Sequence, residues 1–332
     1  MCDGAAPSGA QYWSGSRLTE GILGQVFPNS GTLRIGTRGS ALALKQTERV
    51  VELLKQHYPD LTCDVQVVST AGDRDKETSL QIIGGQGIFA KELQLALTSG
   101  EIDVAVHSVK DLTSELPPGM HLAAILERED PRDIVVSNVG RLDDLPAGST
   151  VGTSSRRRVA LVKRLRPDLE ITDLRGNIDT RIRKATEGPL DAAIIAAAGV
   201  HRMGWQDRVR QHLEIDQFVP APGQGALGVE VREDNQDVRE LLAPLHETET
   251  ASAVESERAF LRAVGGGCTS PIGAHARISD GEATFTGMLA TEDLQQMCIE
   301  TITCKPEHLE AQASRMAARM LDELQLEVRP RA

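Results

Sequence analysis

From Leu33 onward, short apolar runs alternate with longer stretches in which apolar residues return at helical spacing. Leu33 to Ile35 reads as a strand and closes in Gly36-Thr37-Arg38-Gly39-Ser40. Beyond it Ala43, Thr47, Val50, Val51, Leu54 and Tyr58 share one face, which predicts a helix with Ser40 as its N-cap. Val65 and Val67 alternate with polar neighbours in a second strand, and a helix is predicted to begin near Phe89 after Gly84-Gly85-Gln86-Gly87. Ile102, Val104 and Val106 alternate in a third strand that runs straight into His107-Ser108-Val109-Lys110-Asp111. The same style returns with strands at Ile134 to Ser137, Thr150 to Gly152, Leu169 to Leu174 and Ala192 to Ala196. Helices are predicted from Ser155 and after Arg175-Gly176-Asn177. Strands alternating with helices predict an α/β protein with mostly parallel sheets covered on both faces. Ligands of such sheets bind beyond the carboxyl ends of the strands, where the polar motifs fall. From about Glu247 the pattern becomes α+β: a helix from Ala251 to Val264, short strands around Thr284 to Leu289 and Ile299 to Thr303, and a last helix from about Pro306.

A length of 332 residues suggests two or three domains, and 40% hydrophobic with 25% charged residues describes a globular protein. No apolar run approaches the roughly 20 residues of a membrane-spanning helix. Residues 1–31 are rich in Gly, Ala, Ser and Pro and lack the basic start and apolar core of a secretory signal. They are read as a flexible tail on a cytoplasmic protein. Cys2, Cys63, Cys268, Cys298 and Cys304 are an odd set without zinc-site spacing, which suggests free thiols in a reducing compartment. The net charge of -12 disfavours a general nucleic-acid binder and makes clustered arginines informative.

Arg38, Arg157, Arg158, Arg175, Arg181 and Arg202 fall at strand ends or helix starts. Any one of them alone reads as solvated surface charge. Together they suit a small molecule bearing several carboxylates, because guanidinium groups bind carboxylates through paired hydrogen bonds and helix starts attract anions. Neither a GxxxxGK[ST] loop nor a GxGxxG fingerprint is present. Asp111 reads either as a loop salt bridge with Lys110 or as a carboxylate at the mouth of the sheet. Cys268, after Gly265-Gly266-Gly267, is either an inert buried thiol or one presented by a mobile backbone. Phe89 is a lid residue or core. Pro220 to Gly225 is a stiff linker returning to the first sheet, or a plain loop. His107 reads as structural rather than as a metal ligand.

The runs RIGTRGSALALKQ, GIFAKEL, DVAVHSVKDL, EREDPRD, GTSSRRR, LRGNIDTRIRK, PGQGALGVE, ESERAFL, and GGGC followed by PIG cover about Leu33 to Arg277 in order. In these the chain resembles the porphobilinogen deaminase (hydroxymethylbilane synthase) family. The resemblance implies two periplasmic-binding-protein-like α/β domains around a cleft and a small C-terminal α+β domain. Carried over, domain 1 is 32–126 with 222–243, domain 2 is 131–220 and domain 3 is 247–332. Crossings near Glu127–Asp130 and Val219–Ala221 are the implied hinges. The implied activity is a transferase of porphyrin biosynthesis that condenses four porphobilinogen molecules, each losing ammonia, onto a dipyrromethane cofactor and releases hydroxymethylbilane. Cys268 would carry that cofactor through a thioether, and no metal would be required. Asp111 would be catalytic, stabilising the azafulvenium cation and moving protons. Ser108, Lys110, Thr153, Ser155, Arg157, Arg158 and Asn177 would contact the cofactor. Arg38, Ser40, Arg175, Arg181, Arg202, Gln224 and the lid aromatic Phe89 would contact substrate. The family is typically monomeric.

Four departures bear on turnover rather than on the chemistry: Thr113 where the family usually has Pro, Arg156 before the paired arginines, Gln86 where many members have Lys, and Thr269-Ser270-Pro271 after the cysteine. The rival reading is a non-catalytic two-lobed binding protein for a small polycarboxylate. Such a protein would need neither Cys268 nor Asp111.

Overall fold

The computed structural model describes residues 31–69, 87, 90–266 and 270–328. Phe89, Gln86, Cys268 and Thr269 therefore lie outside the described residues, as does the N-terminal tail up to residue 30.

The first sheet contains β1 (Thr32–Thr37), β2 (Thr62–Val67), β3 (Val104–Ser108), β4 (Met120–Ile125) and β10 (Leu227–Arg232), in the order β2-β1-β3-β10-β4. β1 pairs parallel with β2 and β3, whereas β10 is antiparallel to both β3 and β4. The second sheet contains β5 (Asp133–Val136), β6 (Thr150–Gly152), β7 (Glu170–Thr172), β8 (Ala192–Ala196) and β9 (Gln211–Leu213), in the order β7-β6-β8-β5-β9. Here β5 is the reversed strand, antiparallel to β8 and β9. The two sheets share one plan, in which a strand reached by crossing over from elsewhere is inserted between the third strand and the last. β5 begins just after the first crossing and β10 just after the second. The expectation of mostly parallel sheets holds in direction, with one reversed strand in each. β4, β9 and β10 have no counterpart in the sequence reading.

The helices cover these sheets as the periodicity requires. α1 (Ala41–His57) buries Ala43, Thr47, Val50 and Leu54, and its N-cap Ser40 accepts a hydrogen bond from the Ala43 backbone N–H at 3.2 Å. Val50 and Leu54 pack with Leu33, Ile35, Val104, Val106 and Val229 in one core. α2 (Lys91–Thr98) caps the same sheet through Leu93 and Leu97. On the second sheet lie α3 (Arg156–Leu165), α4 (Ile178–Thr186) and α5 (Ala197–Arg202), and α6 (Gln236–Leu242) follows β10.

The C-terminal unit is an antiparallel sheet, β11 (Ile272–Ser279), β12 (Glu282–Ala290) and β13 (Met297–Cys304), covered by α7 (Thr248–Val264) and α8 (Leu309–Glu323). Phe260, Phe285, Met316 and Met320 fill its core. β11 was not expected, and β12 and β13 are longer than their predicted cores. Among the described residues no helix is long and apolar enough to cross a membrane.

Candidate active site

The strand ends place the polar motifs on one side of the fold. β3 ends at Ser108 and turns through Val109–Asp111. Ser108 Oγ accepts a hydrogen bond from Gln46 Nε2 at 2.9 Å. Arg38, Ser40, Gln46, His107, Ser108 and Asp111 line a recess of about 60 Å³. β10 starts opposite Ser108, so Gln224, just before β10, belongs to the same end of the sheet.

On the second sheet, β6 ends at Gly152 and leads through Thr153 and Ser155 into α3. Ser155 is the N-cap of α3, and Thr153 Oγ1 accepts from the Ser155 backbone N–H at 3.3 Å. Because β5 is reversed, its first residue Asp133 pairs with Ala196 at the carboxyl end of β8. There the Asp133 carboxylate meets both paired arginines. Arg157 Nη1 lies 2.7 Å from Asp133 Oδ2, and Arg158 Nη2 lies 2.7 Å from Oδ1. Arg157 also donates to the Val219 carbonyl at 2.7 Å, and Arg158 to the Ile194 carbonyl at 3.0 Å. Asp133 is fully buried and both arginines nearly so. Both arginines therefore already share one buried carboxylate, a partner the sequence reading did not name. Burial alone would push the Asp133 carboxyl up. Arg157 and Arg158 outweigh that and hold it well below the usual carboxylate range.

Gln224 and Lys110 join the two halves. Gln224 Nε2 donates to Asp133 Oδ1 at 2.9 Å and to the Pro131 carbonyl at 2.7 Å. Its Oε1 accepts from Lys110 Nζ at 3.4 Å. Lys110 is only half-buried as a residue, but its ammonium sits deep among protein atoms. Burial pushes it down to about 8 against the pull of Asp111, with Arg158 and Arg157 adding to the depression. Arg181 in α4 is lowered to about 10, chiefly by burial and then by Arg158 and Arg175, while Asp111 opposes the shift. Asp111 thus acts on cations from both sheets. The set Lys110, Arg157, Arg158 and Arg181 carries more positive charge than Asp133 and Asp111 cancel. Such a surplus suits a ligand with several carboxylates.

The remaining expected residues are less central. Arg175 Nε donates to Asp173 at 3.2 Å, and Arg181 Nε to the Gly176 carbonyl at 2.8 Å. Asn177 stands exposed at the N-cap of α4 without a side-chain capping bond. Arg202 Nη2 donates to the Gly225 carbonyl at 2.6 Å. It lines a different groove, of about 680 Å³, with Lys45, Arg49, Glu127, Arg128 and Glu129, none of which lines the Asp111 recess. Arg156 pairs with Glu292 at 2.9 Å, so it ties α3 to the C-terminal unit.

Two residues with structural weight had no role in the sequence reading. Asp133 is one. The other is Glu257 in α7, fully buried, whose carboxylate receives Arg128 Nη1 at 2.6 Å, the Gly223 N–H at 2.6 Å and the Ala276 N–H at 2.8 Å. Arg128 lies on the first crossing and Gly223 on the second, so Glu257 pins both to the C-terminal unit. Their signal was the charged residues inside EREDPRD and ESERAFL, which spacing alone leaves unpaired.

Residues on either side of the Cys268 segment are tied to the rest of the fold. Gly266 N–H donates to the Leu261 carbonyl at 3.3 Å, and the Ala274 N–H to the Pro220 carbonyl at 3.0 Å. Pro220 follows Val219, whose carbonyl Arg157 holds. The start of β11 is thereby joined to the segment that Arg157 holds.

Residues 33–240 match the family model described as porphobilinogen deaminase, dipyromethane cofactor binding domain. Residues 251–323 match the model described as porphobilinogen deaminase, C-terminal domain. The chain is 52% identical over 266 residues to a porphobilinogen deaminase of Syntrophobacter fumaroxidans, covering 80% of this chain and 86% of that one. It is 45% identical over 291 residues to a porphobilinogen deaminase of Syntrophus aciditrophicus, covering 87% and 95%. Among solved structures, the methionine binding protein MetQ aligns with 69% of this chain and 96% of its own, at 13% identity and a TM-score of 0.40. The matched models span most of the chain, and the chain belongs to the porphobilinogen deaminase family.

Proposed function

We propose that the protein is a hydroxymethylbilane synthase that condenses four porphobilinogen molecules stepwise onto a covalent dipyrromethane and then releases the linear tetrapyrrole by hydrolysis. The observation that carries this reading is the cation cluster of Lys110, Arg157 and Arg158 at the strand ends of both sheets, with Asp133 shared by the two arginines and Asp111 beside Lys110. A dipyrromethane bears an acetate and a propionate on each ring, and this donor set fits it. When bound it supplies a nucleophilic pyrrole carbon, held by a thioether on Cys268.

The residues have separable tasks. Lys110, Arg157, Arg158, Ser108, Thr153, Ser155 and Asn177 hold the carboxylates of the cofactor. Arg38, Ser40, Arg175, Arg181, Gln224 and, from the end of α5, Arg202 serve substrate and the growing chain, with Phe89 as lid. Asp111 accepts the pyrrole N–H and stabilises the cation that porphobilinogen forms on losing ammonia. Among the described residues it is the one carboxylate lining the recess, and it is also able to move the proton. The domain limits proposed are 32–126 with 222–243, 131–220 and 247–332, with the crossings between the sheets as hinges. The protein is further proposed to be a cytoplasmic monomer. The rival reading as a non-catalytic binding protein is not favoured by the family.

Intact-mass spectrometry tests the reading. The purified protein should carry the mass of two porphobilinogen units less two ammonia, and it should gain further units on brief exposure to substrate. Cys268→Ser should carry none and be inactive. An adduct on Cys63, or full activity without Cys268, refutes the assignment.

A further inference from the structure

One cluster of side chains outside the recess is arranged for chemistry that the condensation does not use. Asp130 stands on the first crossing, His201 in α5 and His212 on β9, and one ligand atom of each lies within 4.8 Å of the others. His201 Nε2 and His212 Nε2 are 3.4 Å apart, and His212 Nε2 is 3.7 Å from Asp130 Oδ2. None of the three lines the Asp111 recess.

A second observation sets the chemistry of the pair. His201 Nδ1 lies 3.1 Å from Glu129 Oε1. An ionised carboxylate only accepts, so Nδ1 carries the proton and Nε2 of the neutral ring presents a bare lone pair towards His212. A carboxylate that fixes the tautomer from behind is the usual support of a metal-bound histidine. Zinc–nitrogen bonds of about 2.0–2.1 Å at the tetrahedral angle put neighbouring nitrogens about 3.3–3.4 Å apart. The two imidazoles already stand at that separation.

We propose that Asp130, His201 and His212 bind a first-row divalent cation of the zinc class, with Glu129 orienting His201. Imidazole donors favour zinc, cobalt or nickel over magnesium and calcium, which take oxygen ligands. Asp130 Oδ2 also accepts from Arg132 Nη2 at 2.7 Å and from Arg132 Nε at 3.1 Å, and the ion would take the place of the second of these, which Nε already shares with Oδ1 at 3.0 Å. The nearby guanidinium moderates the affinity. The bound ion ties the first crossing to α5 and β9, which makes it an anchor of the crossing and not a part of the condensation.

The test uses the cofactor-loaded enzyme, stripped with a chelator and with its free thiols alkylated, because Cys63, Cys298 and Cys304 would also take zinc. It is titrated with Zn²⁺ against a competing indicator and with Co²⁺ by visible spectroscopy. The wild type should bind one equivalent that His201→Gln and His212→Gln lack, with the strong visible band of four-coordinate Co²⁺. Zn²⁺ should raise the thermal midpoint of the wild type and not of these variants. Glu129→Gln, which leaves the ligands in place, should weaken binding about 10–100-fold. Basal turnover of the variants should be normal. If wild type and the histidine variants bind the same number of equivalents, or if Zn²⁺ shifts all midpoints equally, the histidines form only a hydrogen-bonded pair and the proposal falls.

Discussion

Asp111 and Lys110 are neighbours in one turn, yet the site asks opposite things of them. Asp111 must stay charged beside a forming cation. Asn keeps its shape and loses both the charge and the proton acceptor. Asp111→Asn should therefore load cofactor when given preformed tetrapyrrole and elongate at least about 10²-fold more slowly, since acid–base help is typically worth about 10²–10⁴-fold. Glu should retain more activity than Asn. Single-turnover mass spectrometry of the bound intermediates measures both, and near-normal elongation by the Asn variant would place the catalytic carboxylate elsewhere. Lys110 is lowered to about 8, so it is charged below that pH and neutral above it. Its attraction for carboxylates is then fully present at neutral pH and fades as pH rises through about 8. Uptake of preformed tetrapyrrole by the apoenzyme should fall across that window. In Lys110→Met it should be weak and flat, and a wild-type profile level to pH 9 would exclude Lys110 as a carboxylate contact. Arg158→Leu should act twice, by removing a cofactor cation and by leaving buried Asp133 short of a partner. Leaving a buried charge uncompensated costs about 3–5 kcal/mol. The variant should be both cofactor-poor and less resistant to urea.

At the scale of elements, the second crossing is shaped by glycines that no other residue replaces. Gly225 has φ +91°, and a Cβ there would stand 2.3 Å from the Glu129 carbonyl of the first crossing. Gly223, at φ +73°, would press Val109 in the turn that carries Lys110 and Asp111. The two crossings thus run against each other and against the catalytic turn. Gly225→Ala should destabilise by more than the about 1–2 kcal/mol of left-handed strain alone, because the clash is with backbone. A urea midpoint within error of wild type would mean that the crossings separate easily. Helical spacing and the N-cap of α1 were legible, as was the start of α3 near Ser155, since both are local. β4, β9, β10 and β11 were not. Their pairing comes from distant chain, and the alternation within short runs is too brief to stand out.

For the whole molecule, the repeated strand plan explains why the chain crosses twice: each sheet needs a reversed strand that the other crossing delivers. Glu257 fastens both crossings to the C-terminal unit through Arg128 and Gly223. Glu257→Gln should lower stability by about 3–5 kcal/mol, read as a fall in urea midpoint, with the cofactor still attached in the protein that remains folded. The sequence by itself determined the starts of α1 and α3, the alternation of the strands and helices it named, the family, and which residues cluster at strand ends, because periodicity and motif order are written along the chain. Only the tertiary structure decided that Arg157 and Arg158 share Asp133, that Gln224 bridges it to Lys110, and that Arg202 faces another groove. Those partners are far apart in the chain, and a charge acquires its partner only when folding brings the other one in.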